Sequence, residues 1–206
     1  LNEVHSFGVA LLEEGARLRA AGIKKPILVF GGFEVNQIPH HFLHDLEFTV
    51  SSVEKLEQVG LVAKKQKARA VVHLKVDTGM GRIGVRPSSA PRLIDSALKA
   101  QEQGLVQLKG LYSHLSSAEE KDNPTSARQL EIFLQVCRHF EKLGAPMPLR
   151  HLANSAAILN FPDCSLDLVR PGLALYGVSP LPAGSASPIA LEPALALVST
   201  VVYFKA

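Results

Sequence analysis

The chain has 206 residues, 47% of them apolar and 20% charged, with a formal net charge of +3. That length supports one domain with a sizeable buried core, and the balance is that of an ordinary globular protein. The densest basic run, Lys64-Lys65-Gln66-Lys67, is too short for a nucleic-acid surface, and no apolar run is long enough to cross a bilayer. The two cysteines, Cys137 and Cys164, lie far apart and read as reduced thiols of a cytoplasmic protein. The start, Leu1 to His5, has no basic region followed by an apolar stretch, so no signal peptide is expected.

Along the chain, apolar β-rich runs alternate with segments of helical period. Phe7 to Ala10 reads as a strand and Leu11 to Ala21 as a helix stopped by Gly22. Pro26 to Phe30 is a second strand, Pro39 to Asp45 a short helix and Glu47 to Val50 a third strand. Ser51 and Glu54 have capping-box spacing, so a helix is expected to begin there. Val71 to Asp77 is a fourth strand, followed by Thr78-Gly79-Met80-Gly81 and a helix over Pro91 to Gln103. Val106 to Leu115 is a fifth strand. Thr125 to Leu143 is the clearest helix, with Asn123 as cap, Pro124 at its first position and Gly144 ending it. Leu149 to Ala153 is a sixth strand with a helix from Ser155, and Leu166 to Val169 a seventh.

Such alternation predicts an α/β fold with a parallel sheet, because parallel strands need crossovers and helices supply them. An open doubly wound sheet and a closed barrel both fit. A (β/α)8 TIM-type barrel needs eight strands, and about seven are counted. The texture changes after Gly177. Residues 178–193 are rich in Pro, Ser and Gly and read as a linker, and 194–206 turn β-rich, like the beginning of a C-terminal β domain. On that division residues 1–177 form the barrel, and its absent strand is the first.

Functional residues of such barrels sit where strands end, and four strand ends here are polar. The first is Lys75-Val76-Asp77-Thr78-Gly79-Met80-Gly81-Arg82, where Lys75 and Asp77 alternate to one face; a structural Lys–Asp pair is the alternative. The second is Tyr112-Ser113-His114-Leu115, where a single histidine at a strand end is more often a hydrogen-bonded structural residue. The third is His151 to Ser155. Ser155 serves there either as a helix cap or, with free N–H groups beside its hydroxyl, as an anion site. The fourth is Arg170-Pro171-Gly172-Leu173, with two backbone N–H groups to offer a phosphate. With the first strand absent, these last two segments end strands seven and eight, where phosphate sites of such barrels lie. His40 and His44 share a helix face beside His41, but no third ligand is placed, so no metal site is expected.

The run His73-Leu74-Lys75-Val76-Asp77-Thr78-Gly79-Met80-Gly81-Arg82-Ile83-Gly84 resembles the signature of alanine racemases. So do Ser113-His114, His151 to Ser155 and Val169 to Gly177, in the same order, while Phe7 to Arg19 and Pro26 to Gly32 resemble the family's early barrel. The resemblance covers nearly the whole chain. It implies an isomerase that interconverts L- and D-alanine through an aldimine of pyridoxal 5'-phosphate, provides D-alanine for the cell wall, and works as a homodimer with neither nucleic acid nor membrane as partner.

By the same resemblance, Ser155 and the backbone of Gly172 and Leu173 bind the phosphate. Arg170 faces the pyridine nitrogen, His114 lies against the ring and contacts Arg170, and Asn154 supports the cofactor site from behind. Arg82 contacts the ring's phenolic oxygen and the substrate carboxylate, and Lys75, carbamylated in many members, supports Arg82. The family's Schiff-base lysine, in a Lys-Ala-Asn-Ala-Tyr-Gly-like motif, is not found here, and its catalytic tyrosine belongs to the C-terminal β domain. This chain alone is therefore expected to be inactive. The alternatives are another racemase of the same fold, for serine or of broad specificity, a barrel with Lys75 as Schiff-base lysine, and a non-catalytic barrel that binds a phosphate ligand.

Overall fold

The computed structural model describes residues 3–185 and 187–205. Six parallel strands follow one another in a single sheet, each paired with its neighbour in sequence. They are β1 (Phe7–Val9), β2 (Ile27–Val29), β3 (Glu47–Val50), β4 (Ala70–Lys75), β5 (Val106–Tyr112) and β6 (Leu149–His151). The crossovers carry α1 (Leu12–Ala20), α2 (Ile38–Leu43), α3 (Val53–Gln66), α4 (Ala90–Glu102) and α5 (Thr125–Leu143), and α6 (Ser155–Asn160) follows β6. Sequential parallel order with helical crossovers is that of an incomplete (β/α)8 barrel, as expected, and not of a doubly wound sheet, whose strand order reverses.

The period of two along each strand divides the sheet into unlike faces. Phe48, Val50, Val72, Leu74, Val106 and Leu111 join the apolar core with Leu56 and Val59 of α3, Leu93 and Ile94 of α4, and Phe133 and Phe140 of α5. Ile27 and Val29 pack with Leu46 in a smaller cluster beneath α1. The intervening positions carry Glu47, Thr49, His73, Lys75, Tyr112 and His151, all buried and, but for Tyr112, polar or charged. The convex face therefore holds the fold together, and the concave face is left for chemistry.

Several elements differ from expectation for local reasons. The cap of α3 is Ser52, whose Oγ accepts from Lys55 N at 3.2 Å, one residue beyond the predicted start. Before α5, Asn123 Oδ1 accepts from Thr125 N at 2.9 Å, and Pro124 occupies the cap position itself. The predicted seventh strand is reduced to one parallel bridge between His151 and Leu168. There the Asp167 carboxylate takes the Arg150 backbone N–H at 2.8 Å and its guanidinium at 2.9 Å, replacing a ladder bond with a side-chain bond. Residues 194–205 form no strand. Leu195, Leu197, Val198, Val201, Val202, Tyr203 and Phe204 are exposed, without the neighbouring strand that a β segment needs.

Phe133 is wholly buried at the centre of α5's inner face, whereas Leu61 on α3 is exposed. Phe133→Ala is expected to lower stability by about 3–5 kcal/mol, read as a fall in the urea midpoint at constant m. Leu61→Gln should stay within about 0.5 kcal/mol of the parent.

Candidate active site

The polar residues collect at the carboxyl ends of β4, β5 and β6. Arg170 is drawn over this end by a backbone bond to the Ala153 carbonyl at 3.0 Å. Its guanidinium donates to the carbonyls of Ser113 (2.7 Å) and Leu152 (3.1 Å) and to His151 Nδ1 (3.0 Å). These bonds use three of its five N–H groups. Burial pulls its pKa down to about 10, which still leaves a full cation at neutral pH.

Tyr112 forms the floor. Its ring stacks on His151, with centroids 4.6 Å apart and planes 5° from parallel. Thr49 spends its one proton on the Val29 carbonyl at 2.7 Å, so the Tyr112 hydroxyl donates to Thr49 Oγ1 at 2.6 Å. Burial pushes the phenol up to about 12, which keeps it neutral. Lys75 Nζ lies 4.2 Å from the Tyr112 ring centroid. Burial, reinforced by the nearby Arg170 and Arg82 and opposed by Asp77, brings the Lys75 amine down to about 6. A lysine in that range is mostly an uncharged nucleophile at pH 7.

Asp77 does not pair with Lys75 as the structural alternative would require. Its Oδ1 accepts from the N–H groups of Gly79 and Gly81, both at 3.0 Å, and so shapes the loop that carries Arg82. Gly84 closes that loop at φ +134°, where an added Cβ would come within 2.6 Å of Asp77 N. Arg82 itself is exposed at the rim. It acts on Lys75, Tyr112 and His114 through space.

Ser155 begins α6 and is buried, with Asn154 as the cap accepting from Ala157 N at 3.0 Å. Ser155 Oγ accepts from the N–H groups of Gly172 (2.8 Å) and Ala174 (3.2 Å). The hydroxyl and these amides form one small cradle, and the exposed Leu173 stands at its edge. His114 is part-buried. Burial holds it down to about 3, with Arg170, Lys75 and Arg82 adding to the shift.

The family-model comparison matches residues 1–180 to the alanine racemase N-terminal domain. The chain belongs to this family. It is 36% identical over 204 residues to the alanine racemase of Clostridium tetani, covering 99% of this chain and 52% of that protein. It is 38% identical over 196 residues to that of Thermobifida fusca, covering 95% and 52%. The crystal structure of alanine racemase from D-cycloserine-producing Streptomyces lavendulae superposes with a TM-score of 0.82 at 37% identity, over 86% of this chain and 46% of that one. The chain thus spans about half the length of the curated relatives it matches.

Against the family-based expectations, Lys75, His114, Asn154, Ser155, Arg170, Gly172 and Leu173 fall at one end of the sheet, and Arg82 reaches it through its charge. Two relationships are added. Arg170 hydrogen-bonds the His151 imidazole, beside Leu152, whose carbonyl also holds it, and acts on His114 through its charge. Asn154 caps α6, the helix that Ser155 begins, and donates to the Leu115 carbonyl at 3.4 Å. Of the three histidines of α2 and its end, His41 is buried and stacked on Phe48 at 4.2 Å, and His40 is exposed. His151 was legible as the start of the third polar strand end, but the stacking of Tyr112 on it was not.

Four histidines, His41, His73, His114 and His151, are held neutral, chiefly by burial. Their unfolded counterparts protonate near pH 6.5, so below that value the unfolded chain binds more protons and stability falls with pH. Each contributes a slope approaching about 1.4 kcal/mol per pH unit. Urea midpoints followed from about pH 7 to about pH 5 should fall steeply, and His41→Phe should remove one histidine's share of the slope.

Proposed function

We propose that this chain is the cofactor-holding barrel of a pyridoxal-phosphate-dependent alanine racemase, which interconverts L- and D-alanine and supplies D-alanine for peptidoglycan. The observation that carries this reading is the pairing, at one sheet mouth, of the Ser155–Gly172 cradle with a cation, Arg170, that has two N–H groups unspent. The donor set fits the cofactor. A hydroxyl with two amides suits a phosphate, and a donor-only guanidinium suits a ring nitrogen that stays unprotonated. When bound, pyridoxal phosphate supplies an electron-withdrawing ring that acidifies the substrate's α-hydrogen.

The chain's own residues bind and orient. Ser155, Gly172 and Leu173 take the phosphate, and neutral His114 lies against the ring. Arg170 keeps the ring nitrogen from protonating, which limits side reactions. Arg82 receives the carboxylate of alanine from the exposed rim. We divide the chain into a barrel over residues 1–177, a linker over 178–193 and the start of a β domain over 194–206. Racemisation in this family also uses a lysine and a tyrosine for which no motif matches here, so activity is assigned to the whole protein, acting in the cytoplasm as a homodimer. No helix among the described residues is long and apolar enough to cross a membrane.

Titration with pyridoxal 5'-phosphate, followed by absorbance, should saturate in the parent. Ser155→Ala and Arg170→Ala should each weaken binding by about tenfold or more. Unchanged affinity in both variants would overturn the assignment.

The buried, largely uncharged Lys75 amine beside Arg82 and Arg170 is suited to carbamylation, which would turn it into an anion facing two cations. In 13C-bicarbonate at neutral pH the parent should show a carbamate signal that Lys75→Ala lacks. A parent spectrum without it would show that Lys75 stays an amine.

A further inference from the structure

Behind the mouth, four titratable side chains form a continuous line along the concave face. Lys109 of β5 pairs with Glu47 of β3, Glu47 Oε2 lies 2.9 Å from His73 Nε2 on β4, and His73 Nδ1 lies 2.9 Å from His151 Nε2 on β6. His151 Nδ1 then meets Arg170 at 3.0 Å. The ends of the line fix its direction. A guanidinium only donates, so His151 Nδ1 accepts and its proton sits on Nε2. His73 Nδ1 must accept that proton's bond, which leaves Nε2–H to donate to the Glu47 carboxylate. Both imidazoles are neutral, because burial holds their pKa values below the ordinary range. Burial alone would raise Glu47, but its bonds to His73 and Lys109 hold it lower and keep it ionised.

The backbone is shaped to permit this line. Pairing between β4 and β5 slips from Val72↔Leu108 to His73↔Gly110, leaving Lys109 as the extra residue of a bulge. Leu108 and Leu111 both pack on the apolar side although they are three apart, so Lys109 is turned inward to reach Glu47. Gly110 gives the histidine room: a Cβ there would lie 2.0 Å from His73 Nδ1. Buried ionic networks contribute little net stability compared with an apolar filling, so the bulge and the glycine are not explained by folding alone.

We propose that Glu47, anchored by Lys109, is a positioning residue that sets the tautomers of His73 and His151 and thereby fixes the orientation in which Arg170 presents its remaining N–H groups to a bound ring. The ligand part of this statement rests on the function proposed above; the tautomer part does not. The groups facing the two imidazoles are Glu47, Lys109, Tyr112, Lys75 and Arg170.

The test is 15N-histidine NMR on the intact, cofactor-free protein at neutral pH. His73 and His151 should both appear as Nε2–H tautomers. A Nδ1–H tautomer or an imidazolium at either position would overturn the proposal, whatever the protein binds. The second arm measures affinity for 4-deoxypyridoxine 5'-phosphate, a probe without the aldehyde, which reads recognition of ring and phosphate alone. Glu47→Leu should mix the His73 tautomers and weaken the probe by about tenfold. Gly110→Ala should do the same with Glu47 intact, which guards against misfolding of the first variant. Parental affinity and an unchanged His151 tautomer in both folded variants would sink the idea. Failure of the parent itself to bind the probe would count against the function and leave the tautomer result to decide the relay.

Discussion

A guanidinium laid over the end of a sheet must find acceptors, and the placement of Arg170 organises the mouth around it. A buried cation without partners would cost several kcal/mol. Arg170 finds its partners in the Ser113 and Leu152 carbonyls, at the ends of β5 and β6, and in His151. A full seventh strand would pair with β6 and claim the Leu152 carbonyl for its ladder. The segment before Arg170 makes only the bridge at Leu168, and Asp167 spends its carboxylate on Arg150. The irregular pairing leaves the Leu152 carbonyl open to the guanidinium, while the Arg170 backbone still bonds to Ala153.

The two faces of the sheet divide the energetic work. The convex face buries Phe48, Val72, Leu74 and Leu111 against three helices and supplies the hydrophobic stabilisation. The concave face buries a lysine, three histidines including part-buried His114, and a tyrosine, groups that add little net stability. They are tolerated because burial has discharged them: Lys75 is brought to about 6, His114 to about 3, and Tyr112 is pushed to about 12. Arg170 and Glu47, which stay charged, each hold hydrogen-bonded partners.

What could be read from sequence was what is local. The helix over 125–143 was legible to the residue, because its apolar period, Pro124 and Gly144 all agree. The four polar strand ends were legible because polar residues interrupt apolar runs. The short seventh strand was over-read, since Leu166 to Val169 has β composition but Leu166 takes φ +24° and Asp167 bonds sideways. The relay through His73 and Glu47 was not legible. Its partners lie on strands far apart in sequence, and the bulge at Lys109 breaks the period of two that would have placed that lysine outside. A search for polar residues at alternate strand positions, Glu47 with Thr49 and His73 with Lys75, would have found the concave face but not its connections.

The mouth is out of electrostatic balance as built from these residues alone. Arg170 and Arg82 are cations, burial together with those two charges brings the Lys75 amine down to about 6, and Asp77 accepts from loop amides. Behind them the donors point one way, from Arg170 toward Glu47, so the acceptor nitrogens of His151 and His73 are both already taken. Consistency between local choices is the rule in folded proteins, and its violation concentrates where a ligand completes the set. An anion at the Ser155 cradle and a neutral ring nitrogen at Arg170 would supply the missing acceptors together. On the proposed reading, the cofactor is therefore the last member of a hydrogen-bond chain that begins at Lys109, further along the same concave face.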